Sequence, residues 1–447
     1  MSDVRPIRIP NQSLSEGLSK DVLWMAAGNI FYIGCQWGVL VATVKCGTPE
    51  MVGQLSLGFA ICAPIFLFCQ LRLRAASATD AGNEYEAPEY LTLRLLCTSV
   101  ALLGVLLICL PGHFAMQTTL TILGVGVAKA IESGSDLFYG FLQNAERMRP
   151  IALSLILRGC LSFTGFVIAL LLTRSLLWAL AAFCAGWGMV LLVVDLPIAA
   201  GLIRKAEGKR IHIRWRWSVL GKLARLSLPL GISAMLMSLA VNMPRYFVQR
   251  FGGATELGLF SALAYLTIAS GMIVNSLAEV TIPRFARLFN TARLAEASRL
   301  LVLSVAATVV VGVASIAIAA VLSRPLVTLV YREQYATSGG LLAWLMVAAA
   351  VANIGSIFSY ILLAARKFNL HLVCLIALAV STALASELMV PRWHTEGAAF
   401  ASIFGFSVQA LIAAWCVRRF LSGLRAKRPS GTNLIVLPSV RKAASSI

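Results

Sequence analysis

Apolar residues fill this chain in blocks of about twenty, divided by short polar turns, which is the length an α-helix needs to cross a bilayer. Twelve such blocks are predicted as helices. The first six are 21–44, 51–71, 90–110, 117–143, 151–172 and 176–203. The second six are 224–248, 257–282, 300–322, 339–365, 370–390 and 397–420. The polar segments then divide the chain into a tail (1–19, ending in the potential helix cap Ser19), a six-helix bundle (20–203), a basic linker (204–223), a second six-helix bundle (224–420) and a second tail (421–447).

Composition agrees with the pattern. Of 447 residues 59% are hydrophobic and 13% charged, with a mean hydropathy of +0.83. A soluble domain carries about a quarter charged residues, so the chain reads as an all-α integral membrane protein. The net charge of +19 is unevenly distributed. With the N-terminus inside, 30 of the 38 Lys and Arg residues fall on the cytoplasmic side and six on the outer side. The positive-inside rule therefore puts both tails and the linker in the cytoplasm. The linker's Arg and Trp residues, including Trp215 and Trp217, read as anchors at the bilayer interface rather than as a nucleic-acid surface. Ten cysteines form no CxxC pair, and most lie inside apolar blocks as small hydrophobes. Cys46 and Cys109 fall near one membrane face, where pairing is an alternative to packing. His113, His212, His371 and His394 sit at helix ends or in loops and form no catalytic constellation.

The two halves echo each other. GTPEMVGQLS (47–56) aligns with GGATELGLFS (252–261), and FLQNAERMRP (141–150) with ILLAARKFNL (361–370). Both halves begin inside and hold an even number of spans, so the repeat is parallel, with its axis along the membrane normal. The runs GQLSLGFAICAPIFLFCQLRLRAASATDA (from Gly53) and AKAIESGSDLFYGFLQNAERM (from Ala128) resemble the Wzx-type polysaccharide and O-antigen flippases. These belong to the multidrug/oligosaccharidyl-lipid/polysaccharide exporter superfamily, and the resemblance covers nearly the whole chain. It implies export of an undecaprenyl-diphosphate-linked oligosaccharide across the inner membrane by alternating access. It also implies membrane lipids, a polysaccharide polymerase and chain-length proteins as partners, and no cofactor.

One span is unlike the rest. Lys129, Glu132, Asp136 and Gln143 share one face of the fourth block, within about 60° of arc on an ideal helix. An intramembrane charge costs about 2.5–3.5 kcal/mol on insertion scales, so this face lines something polar. The bland alternative is a Lys129–Glu132 ion pair that staples the bundle. For a diphosphate, Lys129, Arg158, Arg245, Arg72 and Arg74 are the candidate ligands, since Arg and Lys hold phosphoryl oxygens by charge-assisted bonds. Arg245 follows Pro244 and either lines the interior or snorkels to the outer interface. Glu132 and Asp136 are candidates for proton or sodium coupling: one neutralises Lys129 and the other is left in surplus. Asp195, Glu279 and Glu387 lie near span ends and read as interfacial.

Three rival functions share parts of this pattern. A MATE-like cation-coupled drug exporter favours acidic residues in its interior, and a polysaccharide polymerase or ligase needs a long outer loop, which the sequence lacks. A carrier of a small solute is compatible with the composition. No GxxxxGK[ST] motif is present, so direct use of ATP is not expected.

Overall fold

The computed structural model describes residues 14–80, 85–112, 114–207, 213–291, 293–336 and 339–426. His113, His212, most of both tails and the middle of the linker lie outside the described residues. The described residues are helical throughout, without a strand. In the first half, α1 (Leu14–Cys46), α2 (Pro49–Cys69), α4 (Ala87–Cys109), α5 (Met116–Asn144) and α6 (Met148–Thr173) are crossings, and the short α3 (Leu73–Thr79) follows α2. The sixth crossing combines α7 (Leu176–Val190), a π-helical turn (Leu191–Asp195) and α8 (Leu196–Glu207). Ser19 is helical, because α1 starts five residues before it, at Leu14.

In the second half, α9 (Trp217–Leu266) and α10 (Ile268–Asn290) form a 74-residue apolar stretch, long enough to cross twice and broken at Gly253, where φ is 74°. Then come α11 (Leu294–Val330), the short α12 (Glu333–Ala336), α13 (Gly339–Ala364) and α14 (Phe368–Ala426). α14 turns back at His394, φ 47°. Among the described residues nine stretches are apolar enough to cross a membrane by hydropathy alone, two of them doubly long. α5 is left out of the nine by its charges. With it and the two breaks, the described residues make the twelve crossings that the pattern predicts. Exposed Leu, Val and Ile side chains cover the outside, as on α11 (Val302, Leu303, Val310, Val313, Val321). An apolar exterior of this extent marks a membrane-facing surface.

The chain divides into two compact units, 1–47 with 65–232 and 48–64 with 233–447. The division runs through α2 next to Pro64 rather than through a loop. In the first unit α6 packs between α1 and α7, and α5 against α3, α4 and α7. In the second, α13 packs on α11 and α14, with a core of Val274, Phe285, Ile357, Leu362, Cys374 and Val417. No disulfide joins any of the ten cysteines, so Cys46 and Cys109 do not pair. The Trp215 and Trp217 rings lie 5.5 Å apart, tilted by 36°, and both are exposed.

Both sequence echoes have a structural counterpart. α5 and α13 end in the same turn. Glu146 and Arg366 are left-handed (φ 57° and 54°), and the next amides, Arg147 and Lys367, bond back to Leu142 and Leu362 at 2.8 Å each. That is a Schellman ending, made without its usual glycine. The other echo joins the outer end of α2 to α9. A β-carbon at Gly53 would overlap the carbonyl of Ala254, and one at Gly258 would overlap that of Pro49. Gly53 aligns with Gly258 and Pro49 with Ala254, so the contact is self-complementary. Ser56 and Ser261, also aligned, share a hydrogen bond of 2.6 Å at its centre.

Candidate functional site

The polar face of α5 is brought together in the first unit, and the order of local turns explains how. α2 ends in two left-handed residues, Leu71 and Arg72, which fold α3 back against α5. The approach needs Gly140, because a β-carbon there would overlap Ser77 Oγ and press on the backbone of Arg74. Asn144 Nδ2 then donates to the Ser77 carbonyl at 2.9 Å. α3 thereby sets Arg74 along the α5 face. Its Nη1 donates to Asp136 Oδ1 at 3.3 Å, its Nε to Gln143 Oε1 at 3.1 Å, and its guanidinium lies 5.4 Å from the centre of the Tyr139 ring.

Asp136 has a second cation. Arg94 Nη2, from α4, donates to Oδ2 at 3.2 Å. Arg94 Nη1 reaches Ser133 Oγ at 3.3 Å, and Ser133 meets Thr98 at 3.2 Å. Asp136 is therefore not the surplus carboxylate expected from α5 alone. Arg94 sits two turns inside its helix, a depth that marks it out from the topology-setting residues of the α2–α4 loop. One turn further on, Lys129 Nζ and Glu132 Oε2 pair at 2.7 Å. Arg72 is exposed at the left-handed turn.

A second polar layer lies deeper in the same unit. Arg158 is buried and packs over the Trp187 ring at 4.8 Å, with Tyr32 bridging between it and Glu132. Its Nε and Nη2 have no hydrogen-bond partner among the described residues. Asp195, expected at the interface, is 2% exposed and ends the π-helical turn. Ser154 Oγ donates to it at 2.5 Å and also meets Tyr139 Oη at 2.7 Å. A π-turn inserts one residue into the helix and so rotates its end, which explains why Asp195 points inward. Nothing in the hydrophobic spacing announces that rotation.

Lys129, Glu132, Asp136, Arg74 and Arg158 thus belong to one polar assembly, with Arg94, Asp195, Tyr32 and Trp187 added by the structure. Arg245 belongs to the other unit. Its Nη1 donates to Asn242 Oδ1 at 2.6 Å and its guanidinium lies 5.9 Å from the Tyr265 ring centre. Nearby in that unit, Tyr246 Oη donates to the Ala60 carbonyl. Among the described residues no three His, Cys, Asp or Glu side chains come together as metal ligands.

A family model described as "Polysaccharide biosynthesis protein" matches residues 18–289, more than half of the chain. The chain belongs to that family. Every member of the polar assembly lies inside the matched stretch, as does Arg245. The chain is 25% identical, over 381 residues, to the capsular polysaccharide biosynthesis protein CapF of Staphylococcus aureus, covering 85% of this chain and 94% of that one. In fold it is similar to an inward-facing multidrug resistance MATE family transporter of the MOP superfamily (TM-score 0.70, 14% identity, 91% of this chain and 96% of the other). It is also similar to a MOP superfamily transporter from Pyrococcus furiosus (TM-score 0.62, 15% identity, 90% and 95%). This polysaccharide biosynthesis family member is a multi-pass membrane protein with the MOP transporter fold.

Proposed function

We propose that the protein is a flippase that moves a polyprenyl-diphosphate-linked oligosaccharide across the bacterial inner membrane by alternating access, for capsule, O-antigen or exopolysaccharide assembly. The observation that carries this reading is the sign of the polar assembly. Arg74, Arg94, Lys129 and Arg158 face three carboxylates, Glu132, Asp136 and Asp195, and Arg74 is still 30% exposed. An accessible guanidinium with charge to spare suits a diphosphate, which Arg holds by parallel N–H bonds. A drug cation would meet repulsion there. For the Pyrococcus furiosus transporter, reverse polarity of the binding pocket is likewise what suggests a different function.

In this reading Arg72 and Arg74 receive the headgroup at the cytoplasmic end, Lys129 serves it next within the same unit, Arg245 is a candidate ligand within the other unit, and Glu132 is the remaining candidate for ion coupling. Lipids surround the apolar exterior, and a polymerase with its chain-length protein takes the product. The work done is transport, with no covalent step. The test is flipping of a labelled undecaprenyl-diphosphate-linked sugar by the purified protein in liposomes. Arg74→Ala is expected to slow it at least about tenfold with the protein still folded, the loss of one charge-assisted pair. Export of cationic dyes without flipping of the lipid-linked sugar would replace the proposal with the drug-exporter reading.

A further inference from the structure

We propose that Asp136 is a built-in counter-anion that sets the selectivity of the site for a diphosphate, and that Arg94 is a positioning residue acting through it. The proposal rests on the diphosphate reading above and adds what decides between one phosphoryl group and two.

Each oxygen of Asp136 serves a different arginine, and the two arginines differ in freedom. The Arg94 side chain is 3% exposed and tied to Ser133 within the seam of α4 and α5. The Arg74 side chain is 30% exposed, on a seven-residue helix that follows two left-handed residues. Its other supports, Gln143 and the Tyr139 face, are neutral. Arg94 therefore stays with Asp136, and Arg74 is the partner that can leave.

The exchange leaves no charge stranded. An arriving phosphoryl oxygen takes the Arg74 guanidinium, and the carboxylate it gives up remains neutralised by Arg94. Without Arg94 the same exchange would abandon a half-buried carboxylate, which is strongly unfavourable. Asp136 also competes with the ligand. It is tethered beside Arg74 and so acts at a high effective concentration. A phosphodiester with a single charge is a poor rival for a tethered carboxylate. A diphosphate diester, with two charges on adjacent phosphoryl groups, can offer Arg74 a forked contact and outcompete it. Discrimination of this kind comes from the repulsive, occupying element rather than from an added attraction.

The test uses two probes with the same tail and sugar, farnesyl-diphospho-N-acetylglucosamine and farnesyl-phospho-N-acetylglucosamine, binding to the full-length protein in nanodiscs. Wild type is expected to prefer the diphosphate by about tenfold or more. Asp136→Asn, close in shape, should bind both probes more tightly and shrink the preference to about threefold or less. Arg94→Gln should weaken diphosphate binding, because Asp136 then holds Arg74 alone, and adding Asp136→Asn should restore it. A merely structural Arg94 would show no such rescue. Weaker diphosphate binding by Asp136→Asn, an unchanged preference, or no rescue would each overturn the proposal. If Asp136→Asn does not fold, Asp136→Ser is read against the same outcomes. Wild type that binds neither probe would instead defeat the diphosphate reading itself.

Discussion

Arg158 is a guanidinium buried among membrane-spanning helices, covered on one side by the Trp187 ring and linked through Tyr32 to Glu132. A cation in that position is a structural member first, since a ligand cannot reach it without opening α1, α6 and α7. Removing one partner of a buried charge network costs about 3–5 kcal/mol, because the remaining charges are stranded. Arg158→Ala is therefore expected to lower the amount of folded protein and its melting temperature. Lys129→Ala should not: its side chain is 22% exposed, and Glu132 keeps Arg158 as a second cation. Melting curves of the two purified variants check this. Arg158→Ala with normal stability and no flipping would return Arg158 to the ligand-binding set. The sequence shows that Arg158 lies deep in its span, but not which rings enclose it, because Tyr32 and Trp187 come from other helices. Asp136 was illegible for a related reason. The Lys129–Glu132 pair can be judged from one helix, whereas Arg74 and Arg94 reach Asp136 only once α3 and α4 are in place.

At the scale of elements, hydrophobic spacing located the crossings well, because lipid forces every backbone polar group into helices of nearly fixed length. α3 was missed: seven residues hold too few periods to show a pattern, and its position depends on the left-handed Leu71 and Arg72. The two echoes were visible as short similarities whose meaning is geometric. Gly53 and Gly258 stand at equivalent places in one self-complementary crossing, each against a carbonyl of the partner helix. Gly53→Val and Gly258→Val should therefore impair the protein to a similar degree, each forcing the helices apart by the width of a side chain. Ser56→Ala should cost little, about 1 kcal/mol, as the loss of one hydroxyl pair. Surface polysaccharide at matched expression and melting temperature give the comparison. A harmless Gly258→Val beside a damaging Gly53→Val would show that the two halves do not share this contact equally.

For the whole molecule the open quantity is direction across the membrane, and it decides which leaflet loads the site. Arg72, Arg74 and α3 follow the second crossing and the basic linker follows the sixth, so the even count of crossings assigns them to one side. The 30-to-six division of basic residues assigns that side to the cytoplasm. Position 48, an exposed threonine between α1 and α2, is then periplasmic, and position 210 in the linker is cytoplasmic. Single cysteines at these positions, in a background with the ten native cysteines replaced, report the direction through an impermeant maleimide. Cys62, Cys69, Cys109, Cys374 and Cys416 are buried, so alanine is the replacement that intrudes least there. Labelling of position 48 in intact cells, and of position 210 only after permeabilisation, is the expected result. The reverse would place the arginine-bearing end of α2 outside. The same polar assembly would then have to act in uptake rather than export.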